Sequence, residues 1–322
     1  MIKAIPNFVP DINRITNLLV EAVYPAIGLT MFLLVWHVAA QNINTSLGEF
    51  PGPVHVANQV SALYQEHQDQ RAKQASFYQR QDERNAKKLA KNPEAEMKFR
   101  VYTGKPSFLD QIYTSLITVA TGFLIASLIA VPLGVLCGLN DSVYRSLNPI
   151  FQLFKPVSPL AWLPLVTMVV SALYISADPM FEKSFLTSAI TVALCCLWPT
   201  VLNTIVGVTG VNRDLINVSR VIKLRTFTHL TRIILPASVP MVFAGLRLSL
   251  ATGWMVLIAA EMLAQNPGLG KFVWDEFQNG SSDSLSRIMV AVLTIGAIGF
   301  CLDFLMLTLQ RWASWDKTAT IR

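Results

Sequence analysis

The sequence predicts an all-α, polytopic membrane bundle of six transmembrane helices, and three observations carry that expectation. Of 322 residues, 52% are apolar and only 14% charged, a balance too apolar for a soluble domain. Six apolar runs are each long enough to cross a hydrocarbon core of about 30 Å, which takes roughly 20 helical residues: 24–41, 112–139, 149–175, 184–206, 238–264 and 287–310. None alternates apolar and polar residues over the ~10-residue length of a barrel strand. Lipid offers the backbone no hydrogen-bond partner, so each span reads as a helix.

Ahead of the first span, Ile5, Phe8, Ile12, Ile15 and Leu19 recur every three or four positions, the mark of an amphipathic helix over 1–23. It reads either as a helix lying on the inner membrane surface or as a cytosolic cap packed on the bundle. The first apolar run begins near residue 18 and is followed only by a weak small-residue site at Ala39-Ala40, so 24–41 reads as a retained span and not a cleaved leader. The connection 42–111 is polar and carries ten Lys or Arg. Within it Ala62–Lys98 has almost no Gly or Pro and sets Glu83 and Lys87 four apart, which predicts a solvated helix or hairpin. Either this insertion has no chemistry of its own, or it is a contact surface for an external partner.

The core, 112–310, contributes the other five spans. The third begins Pro156-Val157-Ser158-Pro159-Leu160-Ala161-Trp162-Leu163-Pro164, and three prolines in nine residues do not suit a helix interior. Broken helices at membrane depth are tolerated where protein or a water-filled cavity covers the freed backbone. The segment with Pro156, Pro159, Trp162 and Pro164 is therefore expected near a pathway, close to a cytosolic gate; the alternative is an ordinary kinked helix start. Trp198-Pro199 marks a weaker kink. Cys137, Cys195, Cys196 and Cys301 all fall in spans without metal-like spacing and read as packing residues.

Between the fourth and fifth spans lies a polar, basic stretch, 207–236, with Arg213, Arg220, Lys223, Arg225 and Arg232 against Asp214. Placing it in the cytosol puts both termini, the turn 140–148 and the tail 311–322 (Arg311, Lys317, Arg322) inside. The short outside loops 176–184 and 266–286 then hold few cations, as the positive-inside rule requires. The insertion 42–111 is outside in this arrangement; at that length its charge has little say in orientation. The net charge of +6 thus resides in loops that set topology, which leaves no footprint for nucleic acid.

From Asn212 to Leu224, Leu215, Val218 and Ile222, with Ile216 and Val221 one row over, fall on one helical stripe, while Arg220 and Lys223 face elsewhere. A short greasy-sided helix protruding from a membrane bundle needs a groove on another subunit. This stretch resembles the cytoplasmic loop of the permease subunits of binding-protein-dependent ABC importers, whose pattern is Glu-Ala-Ala, three residues, Gly, nine residues, then Ile-x-Leu-Pro. The ending matches at Ile233-Ile234-Leu235-Pro236. At the start stand Asn217, Val218 and Ser219, and Lys223 takes the place of the Gly, so a more continuous helix is expected here. Asn212-Arg213-Asp214, Pro240, Gly245-Leu246-Arg247, Trp254, Ala259-Ala260-Glu261-Met262, Gly268-x-Gly270 and Trp274-Asp275 extend the similarity over roughly 105–312. They point to the nitrate branch of the nitrate/bicarbonate/taurine/sulfonate group.

In the fifth span, Arg247, Trp254 and Glu261 are seven apart and share one side of a helix, while Gly245, Ser249 and Gly253 form a small-residue stripe on the other. A charge at mid-span costs at least ~2.5 kcal/mol, so Arg247 requires a partner or a water-filled cavity. Asp303 in the sixth span lies at nearly matching depth and shares a face with Gly296 and Phe300. Two readings stay open: an Arg247–Asp303 pair fixing two helices, or a positive charge lining a path for a small anion. Trp254 and Glu261 are grouped with Arg247 and Asp303 as residues of a translocation path or of helix pairing, and Glu261, near the outer end of its span, is also expected to meet the polar interface or an external partner.

The chain has no G-x-x-x-x-G-K-[ST] loop; Gly268-Leu269-Gly270-Lys271-Phe272 lacks both the spacing and the hydroxyl. Nor does it carry H-E-x-x-H, G-x-S-x-G or a metal-spaced set among His37, His55, His67 and His229. No catalytic residue, metal or cofactor is therefore expected on it. The resemblance implies that ATP and Mg are bound by two separate cytosolic ATPase subunits, identical or different, which grip the 212–224 helix. It also implies a second copy of the permease and a periplasmic or lipid-anchored oxyanion-binding protein, all at a bacterial inner membrane in contact with lipid. The substrate it implies is nitrate, with bicarbonate and then sulfonates such as taurine behind it. A self-sufficient channel or secondary carrier is the other function class; it predicts transport without a motor and often internal repeats, which the sequence does not display.

Overall fold

The computed structural model describes residues 12–45, 48–91, 97, 99–175, 180–281 and 283–313, giving only the backbone of 12–22 and 44–49. Helix α1 (Ile12–Asn42) is followed by a hairpin of two-residue strands, β1 (Asn44–Thr45) antiparallel to β2 (Gly48–Glu49), and by the long α2 (Pro53–Lys91). Then come α3 (Phe108–Leu139), α4 (Asp141–Phe154), α5 (Pro159–Leu173) and α6 (Lys183–Thr209). The short α7 (Arg213–Val221) and α8 (Thr226–His229) lead through a π-helical turn, Leu230–Ile234, into α9 (Leu235–Ala264); α10 (Leu269–Asn279) and α11 (Ser284–Ala313) complete the chain.

Among the described residues, five stretches are long and apolar enough to cross a membrane: Val23–Asn42, Phe108–Leu139, Lys183–Thr209, Thr226–Ala264 and Ser284–Ala313. The expected third span, 149–175, is not one helix. It is the pair α4 and α5, bent by 101°, and the expected turn 140–148 belongs to α4. Asn140 explains the start of α4: it ends α3 and its Oδ1 accepts the Ser142 amide at 3.0 Å, capping the next helix at once. The break falls at Lys155–Ser158. Pro156 stands in it, Pro159 opens α5 at the first-turn position where a missing N–H does no harm, and only Pro164 sits inside α5.

The polar stretch 207–236 is also shorter as a loop than its composition suggested, because 226–234 is helical and joins α9. Pro236 lacks an amide proton, and the π-helical turn before it, with Leu235 N–H bonding Leu230 O, carries the backbone into the proline. At the N-terminus, α1 runs unbroken from Ile12; Ile5 and Phe8, and the side chains of Ile12, Ile15 and Leu19, lie outside the described residues, as do Lys317 and Arg322.

Helix α6 is the centre of the bundle. It lies parallel to α3 on one side and antiparallel to α9 on the other, at distances that only small residues permit. A Cβ at Gly134 of α3 would lie 2.6 Å from Thr204 Cβ, and one at Gly245 of α9 would lie 2.6 Å from Asn203 Cβ. Ser249 Oγ donates to the Cys196 carbonyl, and Cys196 Sγ donates to Ser249 O at 3.2 Å, tying α9 to α6 across the same seam. The buried apolar core, including Val119, Val192, Cys196, Leu250, Trp254 and Leu257, fills this three-helix contact.

The ends of the bundle are distinct. Helix α7 joins α6 to α9 at one end, while α10 and the base of α2 lie at the other, where α3 and α11 begin. There Arg287 pairs with Glu66 at 2.7 Å, His67 Nδ1 bonds Ser107 Oγ at 2.7 Å, and Arg71 pairs with Asp110. Asp110 also closes a capping box with Ser107 at the start of α3. The insertion is thus one long helix anchored by its first half, with residues 99–107 returning along it through Arg100 N–H to Gln81 Oε1 at 2.7 Å.

Candidate functional site: a protruding helix and a broken span

Helix α7 forms because Asn212 Oδ1 accepts the Asp214 amide at 2.9 Å, Asp214 sits in the first turn, and Arg220 sits in the last, where each charge suits the helix dipole. Ile216 turns inward against Val211 and Ile234. Ser219 is buried, donating to Ile216 O at 3.0 Å and bonding His229 Nδ1 at 2.8 Å, which fastens α7 to α8. Leu215, Val218, Val221 and Ile222 are left exposed, Val221 by 81%. Arg213, Asp214, Asn217, Arg220 and Lys223 are exposed around them and Leu224 is half-buried. The stripe predicted from spacing therefore splits: Ile216 holds the helix to the bundle, and the other apolar side chains face outward.

The expected continuous helix does not occur. Helix α7 stops at Val221, and Lys223 adopts φ 50°. Leu224 N–H bonds Ser219 O and Lys223 N–H bonds Arg220 O, both at 3.1 Å, which is the paired arrangement of a Schellman ending with a left-handed residue in the position that glycine favours. The missing glycine changes the cost of the turn and not its shape, since a residue with a Cβ reaches this region only at a penalty.

Arg247 and Asp303 meet between α9 and α11 in a two-pronged pair, Nε to Oδ1 at 2.5 Å and Nη2 to Oδ2 at 2.7 Å. Their side chains are 32% and 35% exposed and line a cavity of about 190 Å³ with Leu250, Trp254, Met255 and Leu302. Trp254 is buried beside them, its indole N–H donating to Ile295 O at 3.0 Å, and Gly299 lies against its ring.

Glu261 does not face an interface or a partner, contrary to the expectation. It is 0% exposed. Ser115 Oγ of α3 donates to it at 2.8 Å and the Gly270 amide at 3.0 Å, while Ser115 Oγ itself accepts Leu269 N–H at 2.8 Å. The chain turns sharply after α9, with Gln265 at φ 57°, and this turn folds Gly268 and Gly270 onto the carboxylate. Glu261 is the acceptor for the Gly270 amide at the start of α10, and Ser115 for that of Leu269.

The kinked segment opens a different cavity, of about 440 Å³, between α5, α6 and α9. Its lining includes Lys155, Pro159, Trp162, Trp198, Asn203 and Thr252. Phe154 stacks on Trp198 with ring centroids 6.1 Å apart and tilts against Trp162 at 5.6 Å. Pro156 and Pro164 are exposed and outside this lining. The broken span and Arg247 are therefore not neighbours: each lines its own cavity. Lys155 was missed by the sequence reading, although a lysine inside an expected span was itself a signal. No carboxylate lines the larger cavity among the described residues, and those residues hold no group of His, Cys, Asp and Glu suited to a metal.

The family model described as "Binding-protein-dependent transport system inner membrane component" matches residues 130–315. The chain is 31% identical over 284 residues to the nitrate import permease protein NrtB of Synechocystis sp., covering 88% of this chain and 86% of that protein. It is 35% identical over 196 residues to NrtB of Leptolyngbya laminosa, spanning 61% of this chain and 65% of that relative's length. It is also 34% identical over 203 residues to the bicarbonate transport system permease protein CmpB of Synechococcus elongatus, with 63% and 68% covered. An inward-facing structure of the MetNI methionine ABC transporter superposes with a TM-score of 0.55 at 14% identity, over 64% of this chain and 95% of that one. At that identity the likeness concerns the fold alone.

Proposed function

Since this chain belongs to the family of inner-membrane components of binding-protein-dependent transport systems, we propose that it is the permease subunit of an ATP-driven ABC importer that brings a small oxyanion, nitrate first, into the cytoplasm. Two copies of the chain form the path. A periplasmic or lipid-anchored binding protein delivers the anion on the side of α2 and α10, and two cytosolic ATPase subunits, holding ATP and Mg, grip α7. The termini then lie in the cytoplasm.

The observation that carries this reading is the outward apolar row Leu215, Val218, Val221 and Ile222 on a helix fastened at its back by Ile216 and Ser219. Such a row left in water is unfavourable, and a groove on a partner covers it. Because α7 is rooted between α6 and α9, a push on it is transmitted to the two helices that line the larger cavity. Arg247 and Asp303 act as a fastener between α9 and α11, and Trp254 packs beside them. The kinked segment forms one wall of the path.

Similarity to the two NrtB proteins supports nitrate. Similarity to CmpB, at 34% identity, supports bicarbonate as the second reading.

The test is uptake of labelled nitrate and bicarbonate by proteoliposomes holding the permease, its ATPases and the binding protein. ATP-dependent uptake is expected, lost together with ATPase retention in the Leu215→Asp, Val218→Asp double variant. Uptake that persists without ATP and without binding protein assigns the chain to self-sufficient channels or carriers instead.

A further inference from the structure

We propose that the cavity between α5, α6 and α9 is a resting site for the small oxyanion on its way through the permease, with Lys155 as its cation and the Trp198 indole N–H as its second donor. This rests on the importer reading above and adds which residues meet the anion.

Four observations converge on this cavity. First, Lys155 lies at the break of the α4–α5 span and lines the cavity, and no carboxylate pairs with it among the described residues. Arg247, the cation midway along α9, is already neutralised by Asp303. Lys155 is exposed on the single chain, and a cation in a broken span is retained where an anion or water meets it.

Second, Trp198 lines the same cavity, and its Nε1 is buried with no acceptor. A buried indole N–H nearly always has a partner. This donor is closed to water in the conformation seen, so an anion reaches it only once the cavity wall moves.

Third, α5 begins at the cavity edge with Val157 and Pro159, and its N-cap Ser158 makes no side-chain cap bond, so the positive end of the α5 dipole adds to the field there. Fourth, the lining carries no negative charge among the described residues. Thr252 Oγ1 donates to Leu248 O at 2.8 Å and Asn203 Nδ2 gives one of its two protons to Pro199 O at 2.9 Å, and most of the other lining residues, such as Leu202, Leu248 and Pro199, are apolar.

A cavity of about 440 Å³ accommodates an oxyanion with several waters, each needing roughly 30 Å³. One cation, one N–H and a helix end on apolar walls make a site strong enough to receive an anion and weak enough to release it, as conduction requires. Cys195 to Asn203 lie midway along α6, and Leu248 and Thr252 midway along α9. The site is therefore at mid-depth, between the receptor side and α7.

The decisive experiment uses the complete importer in proteoliposomes, with labelled nitrate as probe and receptor-stimulated ATP hydrolysis measured in the same vesicles. Loss of one charge-assisted hydrogen bond predicts that Lys155→Gln lowers uptake about tenfold or more while ATP hydrolysis continues, and that Lys155→Arg stays within about threefold of the wild type. Trp198→Phe, which keeps an aromatic ring in place of the indole and removes the donor, lowers uptake about threefold. Perrhenate, an electron-dense monovalent oxyanion, is expected to give density beside Lys155 in a cryo-EM map of the same complex. Uptake by Lys155→Gln and Trp198→Phe at the wild-type rate overturns the site and leaves the importer reading standing. Should Lys155→Gln fail to assemble, unchanged uptake by Trp198→Phe and absence of perrhenate density overturn it equally. A wild-type complex that moves no oxyanion under ATP overturns the importer reading itself.

Discussion

Removing one member of the Arg247–Asp303 pair tests whether that pair fastens helices or serves the path. The two bonds, at 2.5 and 2.7 Å, join α9 to α11 between side chains that are about one-third exposed, so the pair is not fully desolvated. Polar bonds between membrane helices contribute about 0.6 kcal/mol on average and up to about 1.7, which bounds the direct gain. A lone charge at mid-span costs a further ~2.5–3.5 kcal/mol, partly relieved here by exposure. Arg247→Ala, leaving Asp303 alone, is therefore expected to destabilise by about 2–3 kcal/mol. Arg247→Ala combined with Asp303→Ala removes the stranded charge and is expected to lose only about 1 kcal/mol. The exchanged pair, Arg247→Asp with Asp303→Arg, recovers most of the wild-type stability. The assay is the yield and thermal midpoint of the detergent-extracted complex, with uptake measured on the same preparation. A single variant that assembles fully yet transports nothing refutes the fastener and returns Arg247 to the path. A double variant no better than the single one refutes the argument from the stranded charge.

Glu261→Ala strands the Ser115 hydroxyl and the Gly270 amide in a fully buried place, and at ~1–3 kcal/mol for each unpaired group it lowers stability by about 2–4 kcal/mol; Glu261→Gln, keeping one acceptor, loses roughly half of that. Thermal unfolding of the solubilised permease checks both, and an unchanged midpoint in Glu261→Ala removes the carboxylate from its role as acceptor for α10. Lys223→Gly is expected to leave ATPase binding and uptake intact, because glycine takes φ 50° freely. Lys223→Val, β-branched, is expected to weaken ATPase retention by about 1–2 kcal/mol relative to Gly, which equilibrium binding of the ATPase to the permease measures.

Periodicity carried much of the architecture, because apolar runs of the right length have few alternatives in lipid. The small-residue stripe of Gly245, Ser249 and Gly253 marked a packing face for the same reason, and it is the face laid on α6. What periodicity could not carry was direction of approach. The α4–α5 bend was visible as three prolines, yet its placement at Lys155–Ser158 depends on Asn140 starting α4 early, and only a cap contact reveals that. Glu261 read as an outer-end polar residue because its acceptor role is defined by Ser115, far away in sequence, and by the turn that brings Gly270 back onto it.

Lys223 shows the converse: the substitution at the glycine position was plain, but whether the backbone would follow the residue or the motif depended on anchors elsewhere. Ser219 bonded to His229, and Ile216 wedged against Ile234, hold both sides of the turn, and together they outweigh a local preference of about 1–2 kcal/mol. The same asymmetry governs the charges. A cation inside a span is legible as an anomaly from composition alone, and both Arg247 and Lys155 qualify; which of them is neutralised is a tertiary fact. Asp303 meets Arg247 across α9 and α11, while among the described residues no carboxylate lines the cavity at the broken span. The unneutralised charge, and not the one that first stands out in the sequence, is therefore the one free to act on an anion.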